Sequence, residues 1–445
     1  MRIAIVIEKY DATGGGNERS THQIAQQLAS RGHHVTILCE SAAETSAGSK
    51  PVSIEPASTG STRSATGLKR FAAWAESRIA KGGFDVSLSM ITAVVADVMQ
   101  PRGGTVAETQ LRNVALRRNA VSRAFKQTSL KLNPKQRAML ALEQRAMRDS
   151  RIKKWVAISG YVAEQFSNHY SVSGDRVAHI PNAAEVTHYT EEERQRIRNE
   201  ERARLQIPDD RTVFLYAAMN HRLKGFHELL LTIMSIEGFY DRCDTIFVGP
   251  GLDHKPYNPN IKYFYFGNMG VWRPSVAVLK RGPSRMPMHF PGEVENIDRL
   301  LLAADVLVHP TWYDPSSKVV LEALLMGRPA ITTLHNGAAQ YIFDPSARHP
   351  VPSAFDNLQP CVIDSPVQQG GCVVSSLDDV PSAYRIATGK AAKQTIALAQ
   401  AMQQMCDPDH RAKCMQAIKS ANLPEKISMK AHVDALEQVL ISASN

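Results

Sequence analysis

At 445 residues, 43% hydrophobic and 21% charged, the chain has a globular composition and is too long for one ordinary domain, so two domains with separate sheets and a cleft between them are expected. Its formal net charge of +9, densest over residues 112–154 and 280–285, suits anionic small molecules or an anionic leaflet. The composition excludes several classes: no zinc-finger spacing or basic stretch with interleaved aromatics points to nucleic acid, the six cysteines form no Cys-x-x-Cys pair, and no apolar run reaches membrane-crossing length.

In chain order, the opening MRIAIVIEKYD has an apolar strand, RIAIVI, but no signal-peptide core, which points to a cytoplasmic protein. Residues 18–31 carry a helical apolar face that Gly32 stops, and HVTILC is the second strand. Further strands are predicted at 84–90, at 105–109 (TVAET), in WVAISG and in RVAHIPN. Long basic helices run from about 112, break near Pro134 and continue to about 150, and another helix covers 161–169. This alternation predicts a parallel sheet covered on both faces. Residues 191–204 are highly charged and read as a solvated helix leading out of the first domain.

A second series begins with strand 212–217, followed by helix 226–236, strands 244–249, IKYFYFG and 286–290, helix 294–303, strand VLVHP, helix 317–326 and strand AITTL. It predicts a second doubly wound domain with its ligand edge at the carboxyl ends of the strands. Residues 346–371, rich in Pro, Gln and Ser, read as an insertion or mobile loop; GCVVSS is a last strand, 380–387 a short helix, and the tail from 391 is helical. The expected units are 1–195, 211–390 and a tail of 391–445.

The most informative stretch is LVHPTWYDPSSKVVLEALLMGRP, residues 307–329, which sets Asp314 and Glu322 eight positions apart across a strand exit and a helix start, beside Ser316 and Ser317. One carboxylate can meet hexose hydroxyls and the other a ribose diol, where the helix N-terminus directs amides at a diphosphate. Taken alone, Asp314 reads equally as a turn acid and Glu322 as a solvated helix acid. Gly14-Gly15-Gly16 separates the first strand from its helix, where glycines permit positive φ and close approach to a ligand; this is neither a Walker A loop nor Gly-x-Gly-x-x-Gly. Lys224 and Gly225 follow the first strand of the second series, and Lys224 offers a compact charge for diphosphate oxygens, though a solvated basic turn has the same appearance. Gly249 in VGPG stands at another strand exit, and His289 in MPMHFPGEV is either near a nucleotide base or a satisfied core histidine.

The acid, seven residues, then Glu-Ala-Leu and Gly-Arg-Pro resemble the donor-site signature of retaining GT-B glycosyltransferases of family 4. The opening EKYDATGGGNERSTHQIAQQLASRGHHV is similar to their lipopolysaccharide core glucosyltransferase branch. The resemblance implies an α/β GT-B fold, two Rossmann-like domains facing across a cleft with a C-terminal helix returning to the first. It implies transfer of a hexose from a nucleotide sugar, UDP-linked, to a glycan or lipid-linked acceptor in envelope polysaccharide or lipopolysaccharide synthesis. With such a site, the missing signal-peptide core and the basic helical region of the first domain suit a peripheral enzyme on the cytoplasmic face of an anionic membrane. Lys224 would meet the diphosphate, helped by Arg222 because the usual arginine position holds Met219. Asp314, where the family has Glu, would meet the donor sugar, and Glu322 the ribose. Gly15 and Gly16 would close over the diphosphate, Gly249 pass under the nucleotide, His289 border the base, and Ser317 and Gly337 sit near the donor. No metal or cofactor is implied, since no Asp-x-Asp marks the metal-dependent glycosyltransferase type and the leaving charge falls to Lys224, Arg222 and helix ends. The chain departs from the family at Ser20, which leaves the acceptor base unassigned with Asp11 and Glu18 nearest, at Gln340, and at Glu108 to Gln110, which leaves sugar contact and acceptor orientation unassigned. A nucleotide-sugar epimerase or hydrolase, and a non-catalytic binding protein, are the alternatives.

Overall fold

The computed structural model describes residues 1–43, 52–57, 60–117, 120–236, 238–252, 287–343, 371–374 and 393–444. The predicted strand IKYFYFG, the basic stretch 280–285, the body of the 346–371 insertion and the helix 380–387 lie outside them.

Two parallel sheets carry the fold. The first contains Arg2–Tyr10 (β1), His34–Ala42 (β2), Ser53–Pro56 (β3), Val86–Ser89 (β4), Val98–Met99 (β5), Lys154–Ala157 (β6) and Val177–His179 (β7) in the order β3-β2-β1-β4-β5-β6-β7. Its central strand explains the layering. Ile3, Ile5 and Ile7 join a core with Ile24 and Leu28 of helix Gly16–Ser30 and Val433, Leu436 and Leu440 of helix Met429–Ser444. Ala4 and Val6 point the other way, onto Phe71, Ala72 and Ala75 of helix Ala65–Ala80. Alternate residues of one strand thus bury on opposite faces, and the last helix of the chain closes one face of the first sheet.

The second sheet contains Thr212–Ala217 (β8), Cys243–Val248 (β9), Met288–Gly292 (β10), Val306–His309 (β11), Ala330–Thr333 (β12) and Gly371–Val374 (β13) in the order β10-β9-β8-β11-β12-β13. Val213 and Leu215 pack with Leu301 and Leu321, whereas Phe214 and Tyr216 pack with Phe226, Leu229 and Met402. These are the two doubly wound sheets of a GT-B architecture.

Two sequence expectations fail for identifiable reasons. Residues 105–109 form no strand: Thr105 caps helix Val106–Ala115 by accepting from the Glu108 amide, so a Thr-x-x-Glu start outweighs the β-branched Thr and Val. Helix Glu191–Arg204 is not solvated on all sides, since Ile197, Glu201 and Arg202 are buried and Arg198 and Arg202 hold Asp305 at 2.6 and 2.8 Å. Arg202 also donates to the carbonyls of Ala303, Asp209 and Arg211, so the helix is fastened to the second sheet's unit by groups that a charge pattern assigns to water.

Candidate active site

The site is built where the carboxyl ends of β8, β9 and β11 meet the first domain. After β11 the chain runs through Trp312, Tyr313 and Asp314 before entering helix Lys318–Leu325. This loop is pinned on both sides: the Trp312 amide donates to the Leu223 carbonyl at 2.9 Å, and the Tyr313 hydroxyl donates to the Gly103 carbonyl in the first domain at 2.9 Å. Lys224 reaches across from the loop after β8, and its Nζ lies 2.7 Å from Asp314 Oδ2 and 2.8 Å from the Tyr313 carbonyl. Gly225 makes that approach possible, because its φ of +72° is a left-handed conformation and a Cβ there would meet the Pro310 carbonyl oxygen at 1.9 Å.

Burial alone pushes the Asp314 carboxyl up, but Lys224 and the nearby His309 hold it well below the usual carboxylate range. It is an anion fixed against a cation. Glu322 lies one turn beyond Lys318 on the next helix; burial raises its carboxyl, opposed by Lys318 and Arg19. The raised affinity for a proton marks a carboxylate whose surroundings supply little hydrogen bonding of their own. Ser317 is buried at this helix start, its amide held by Asn336 Oδ1 at 3.1 Å and its Oγ 3.4 Å from His309 Nε2.

Arg222 is exposed two residues before Lys224. Gly15 and Gly16 open helix Gly16–Ser30, which has no side-chain cap. None of Gly14, Gly15 and Gly16 takes a positive φ, so the expectation of left-handed backbone fails there. A Cβ on Gly16 would lie 3.6 Å from Lys318 Cδ, an ordinary contact that does not demand glycine, but it shows that this loop faces the second domain's helix.

Other predicted residues are occupied within the protein. The Gly337 amide donates to the Asp314 carbonyl at 2.9 Å, and a Cβ on Gly337 would come 2.0 Å from the Pro315 carbonyl and 2.2 Å from Ser159 Oγ. Gly337 thus locks the Asp314 loop, with its amide turned inward. Gly249 has φ +144° and donates to the Gly292 carbonyl at 2.9 Å, closing the exits of β9 and β10. The His289 ring is 2.7 Å from Asp244 Oδ1 near the start of β9, so the imidazole is a satisfied core group facing away from the ligand edge.

Sequence reasoning missed the polar seam between the domains. Gln340, at a departure from the family pattern, accepts from the Gly160 amide at 2.9 Å, and Ser159 donates to the Pro315 carbonyl at 2.6 Å. Asn182 donates to the Ser316 carbonyl at 2.7 Å and accepts from Arg102 at 2.5 Å. Behind them Glu108, fully buried, meets Arg112 at 2.6 Å, Tyr161 at 2.7 Å and His169 at 2.7 Å, and Arg112 faces His335 of the second domain at 2.9 Å. The Thr105 capping pattern was the only available signal for Glu108's placement.

That seam gives an acid-stability prediction. Burial pushes the Glu108 carboxyl up, but hydrogen bonding to His169 and the Arg112 charge bring it down to about 2, from an ordinary 4.5. A carboxyl whose folded pKa is depressed stabilises fully above the unfolded value and loses that contribution as pH falls toward the folded one. The contribution is on the order of 3 kcal/mol. Melting curves between pH 6 and 3 are expected to fall steeply for the native chain, with Glu108→Gln starting lower and falling less.

The family model described as Glycosyltransferase Family 4 matches residues 14–188, and that described as Glycosyl transferases group 1 matches residues 211–352. Lipopolysaccharide glucosyltransferase WaaG of Escherichia coli K12 is 23% identical over 362 residues, 81% of this chain and 87% of its own. Among solved structures, WaaG superposes with a TM-score of 0.66 at 19% identity, covering 97% of this chain and 98% of that one. Anabaena HepE in complex with UDP and glucose gives 0.58 at 14% identity, covering 99% and 100%. Both halves of the chain and the fold that joins them agree: the protein belongs to the GT-B glycosyltransferases, with a family 4 domain followed by a group 1 domain, and resembles the lipopolysaccharide glucosyltransferase branch.

Proposed function

We propose that this enzyme transfers a hexose from a UDP-sugar to a hydroxyl of a glycan or glycolipid acceptor in lipopolysaccharide or envelope-polysaccharide synthesis, with retention of configuration. The observation that carries the reading is the Lys224–Asp314 pair, set with Glu322 around one helix start and opposite the glycine loop of the first domain. Glu322 takes the ribose hydroxyls. Asp314 orients the donor sugar and aims Lys224, and Lys224 with the exposed Arg222 meets the diphosphate as its oxygens gain charge on departure. The relative named as a lipopolysaccharide glucosyltransferase and the structure solved with UDP and glucose support the substrate class. Retention rests on the family resemblance. Lys224 and Arg222 take the role of a divalent ion, so transfer is expected to persist in excess chelator.

Thermal shifts with UDP-, GDP- and ADP-hexoses test the donor. Selective binding of a UDP-sugar at about 100 times its Kd stabilises the folded form by about 2.7 kcal/mol. Glu322→Ala is expected to abolish most of that shift, and an undiminished shift would remove Glu322 from the site.

The reading extends to a peripheral position on the cytoplasmic face of an anionic membrane. Among the described residues no helix is long and apolar enough to cross a bilayer. Helix Ala120–Leu132, however, holds Val121, Phe125 and Leu132 at 80%, 76% and 72% exposure beside Arg123, Lys126 and Lys131. Apolar side chains with interspersed cations suit an interfacial helix. Co-sedimentation with anionic vesicles tests this part independently of transfer.

A further inference from the structure

The first residue of β9 meets the chain just past helix Lys393–Gln404. Cys243 opens β9 and is buried, and Cys406 follows the helix and is half-buried. Both thiols are free, and their sulfurs lie 3.3 Å apart although 163 positions separate them in sequence. Cys406 Sγ is also 3.3 Å from the Met402 carbonyl one turn back. Packing holds the two in place: Leu398, Ala401, Met402 and Met405 share a core with Phe239 and Cys243, and Cys406 lies against its edge. Arg411 fastens the next turn by donating to the Met405 carbonyl at 2.5 Å and to Thr212 Oγ1 at 3.3 Å. A cavity of about 190 Å³ adjoins both sulfurs and is bordered by Arg242 and Gln403.

The two sulfurs differ in character. The hydrogen bond from Cys243 favours the thiolate of Cys406; burial opposes it, and the charges of Arg242 and Arg411 support it, so this thiol is held below its ordinary range. The same hydrogen bond, with burial, pushes the Cys243 thiol up. Elsewhere burial pushes the Cys39 thiol up to about 12 and that of Cys414 up to about 11. A partly exposed sulfur in a positive setting is the reactive kind, whereas a sulfur buried in apolar surroundings is inert until a partner is oxidised beside it.

We propose that Cys243 and Cys406 form an oxidation-sensitive thiol pair, in which Cys406 reacts first with a hydroperoxide and Cys243 then closes a reversible disulfide that staples the C-terminal helical segment to the second sheet. The Cys406 thiolate attacks one peroxide oxygen; the O–O bond breaks, an S–O bond forms and hydroxide leaves. The Cys243 sulfur then attacks the oxidised sulfur of Cys406, and its proton departs with the hydroxyl as water. In sum the two thiols lose two electrons and two protons, and the peroxide becomes two waters. Reaching the bonded distance of about 2.05 Å takes a shift of roughly 1 Å shared between two side chains. The bridge lies at the opposite end of β9 from the donor edge, and the inference is independent of the nucleotide-sugar reading.

Peptide mapping of the full chain tests it. Reduced protein is treated with hydrogen peroxide, alkylated in denaturant and digested. The expected product is a peptide pair joined through Cys243 and Cys406 and released by dithiothreitol, with Cys39 and Cys414 recovered as alkylated thiols. In Cys243→Ser the sulfenic acid of Cys406 is expected to persist and to be captured by dimedone, whereas Cys406→Ser slows oxidation of Cys243 at least about tenfold. The oxidised native chain should melt several degrees above the reduced one, a rise absent in Cys243→Ser, because the bridge restrains a long segment of the unfolded chain. The native-chain map requires neither variant to fold. Recovery of both thiols unoxidised, or a bridge to another cysteine in place of this one, overturns the pair. Dimedone capture at Cys243 and not at Cys406 overturns the order of attack, and an oxidised chain that melts no higher than the reduced one overturns the staple.

Discussion

Replacing Lys224 by alanine is expected to lower kcat by about two to three orders of magnitude, a loss of about 3 to 4 kcal/mol in transition-state stabilisation, with little change in acceptor KM. The ammonium lies at the loop where diphosphate charge would grow, and the 2.7 Å contact with Asp314 fixes its position before any ligand arrives. Initial rates with labelled donor measure the effect, and native kcat in Lys224→Ala would remove the assignment. The same substitution has a separate consequence for stability. Asp314 would keep its burial and its neighbour His309 but lose its cation, and breaking one side of a buried pair costs about 3 to 5 kcal/mol. With Lys224 present, the depressed carboxyl stabilises the fold above the ordinary range near 3.8, and this contribution fades as pH falls below it. Without Lys224 the folded pKa rises, so acid unfolding begins at higher pH. The double variant Lys224→Ala, Asp314→Asn is expected to melt above Lys224→Ala alone while remaining equally inactive, which separates the electrostatic role in transfer from the cost of an orphaned charge.

Much of the fold was legible because β1, β2, β8, β9, β11 and β12 bury both faces and appear as short apolar runs between helical patterns. Charged helices were less transparent. The sequence of Glu191–Arg204 looks fully solvated, yet Arg198 and Arg202 turn to Asp305 and to backbone carbonyls, a use of arginine that periodicity cannot separate from a surface one. The site divides in the same way. Asp314, Glu322 and Lys224 stand at strand exits and helix starts, where spacing leaves them as readable as solvated side chains and the family resemblance singles them out. The Lys224–Asp314 pairing joins residues 90 positions apart, and the seam of Gln340, Ser159 and Asn182 joins residues of opposite domains more than a hundred positions apart. Lys318 and Arg102 carried no local signal at all, since an isolated cation in a sequence resembles any solvated side chain. His289 shows a resemblance that does not carry over: of the two readings open to it, the contact with Asp244 at 2.7 Å favours the satisfied core histidine over a neighbour of the base.

Gly225→Ala is expected to be among the most damaging single-atom additions in the second domain. Two independent costs coincide there. The backbone has φ +72°, a conformation that costs an L-residue roughly 1 to 2 kcal/mol, and the new Cβ would meet the Pro310 carbonyl oxygen at 1.9 Å, forcing a shift worth about 1 to 3 kcal/mol more. Gly251 provides the control, because its φ is +73° and no atom of the described residues lies within 4 Å of an added Cβ. Gly251→Ala therefore carries the backbone cost alone. Urea midpoints should fall for both variants and clearly further for Gly225→Ala. Activity should divide them more sharply, since relieving the clash moves Lys224, the preceding residue, away from Asp314, whereas Gly251 lies beyond the exit of β9. Equal destabilisation of the two would mean that the loop absorbs the contact with Pro310 freely, and native transfer rates in Gly225→Ala would show that Lys224 does not need the position this glycine gives it.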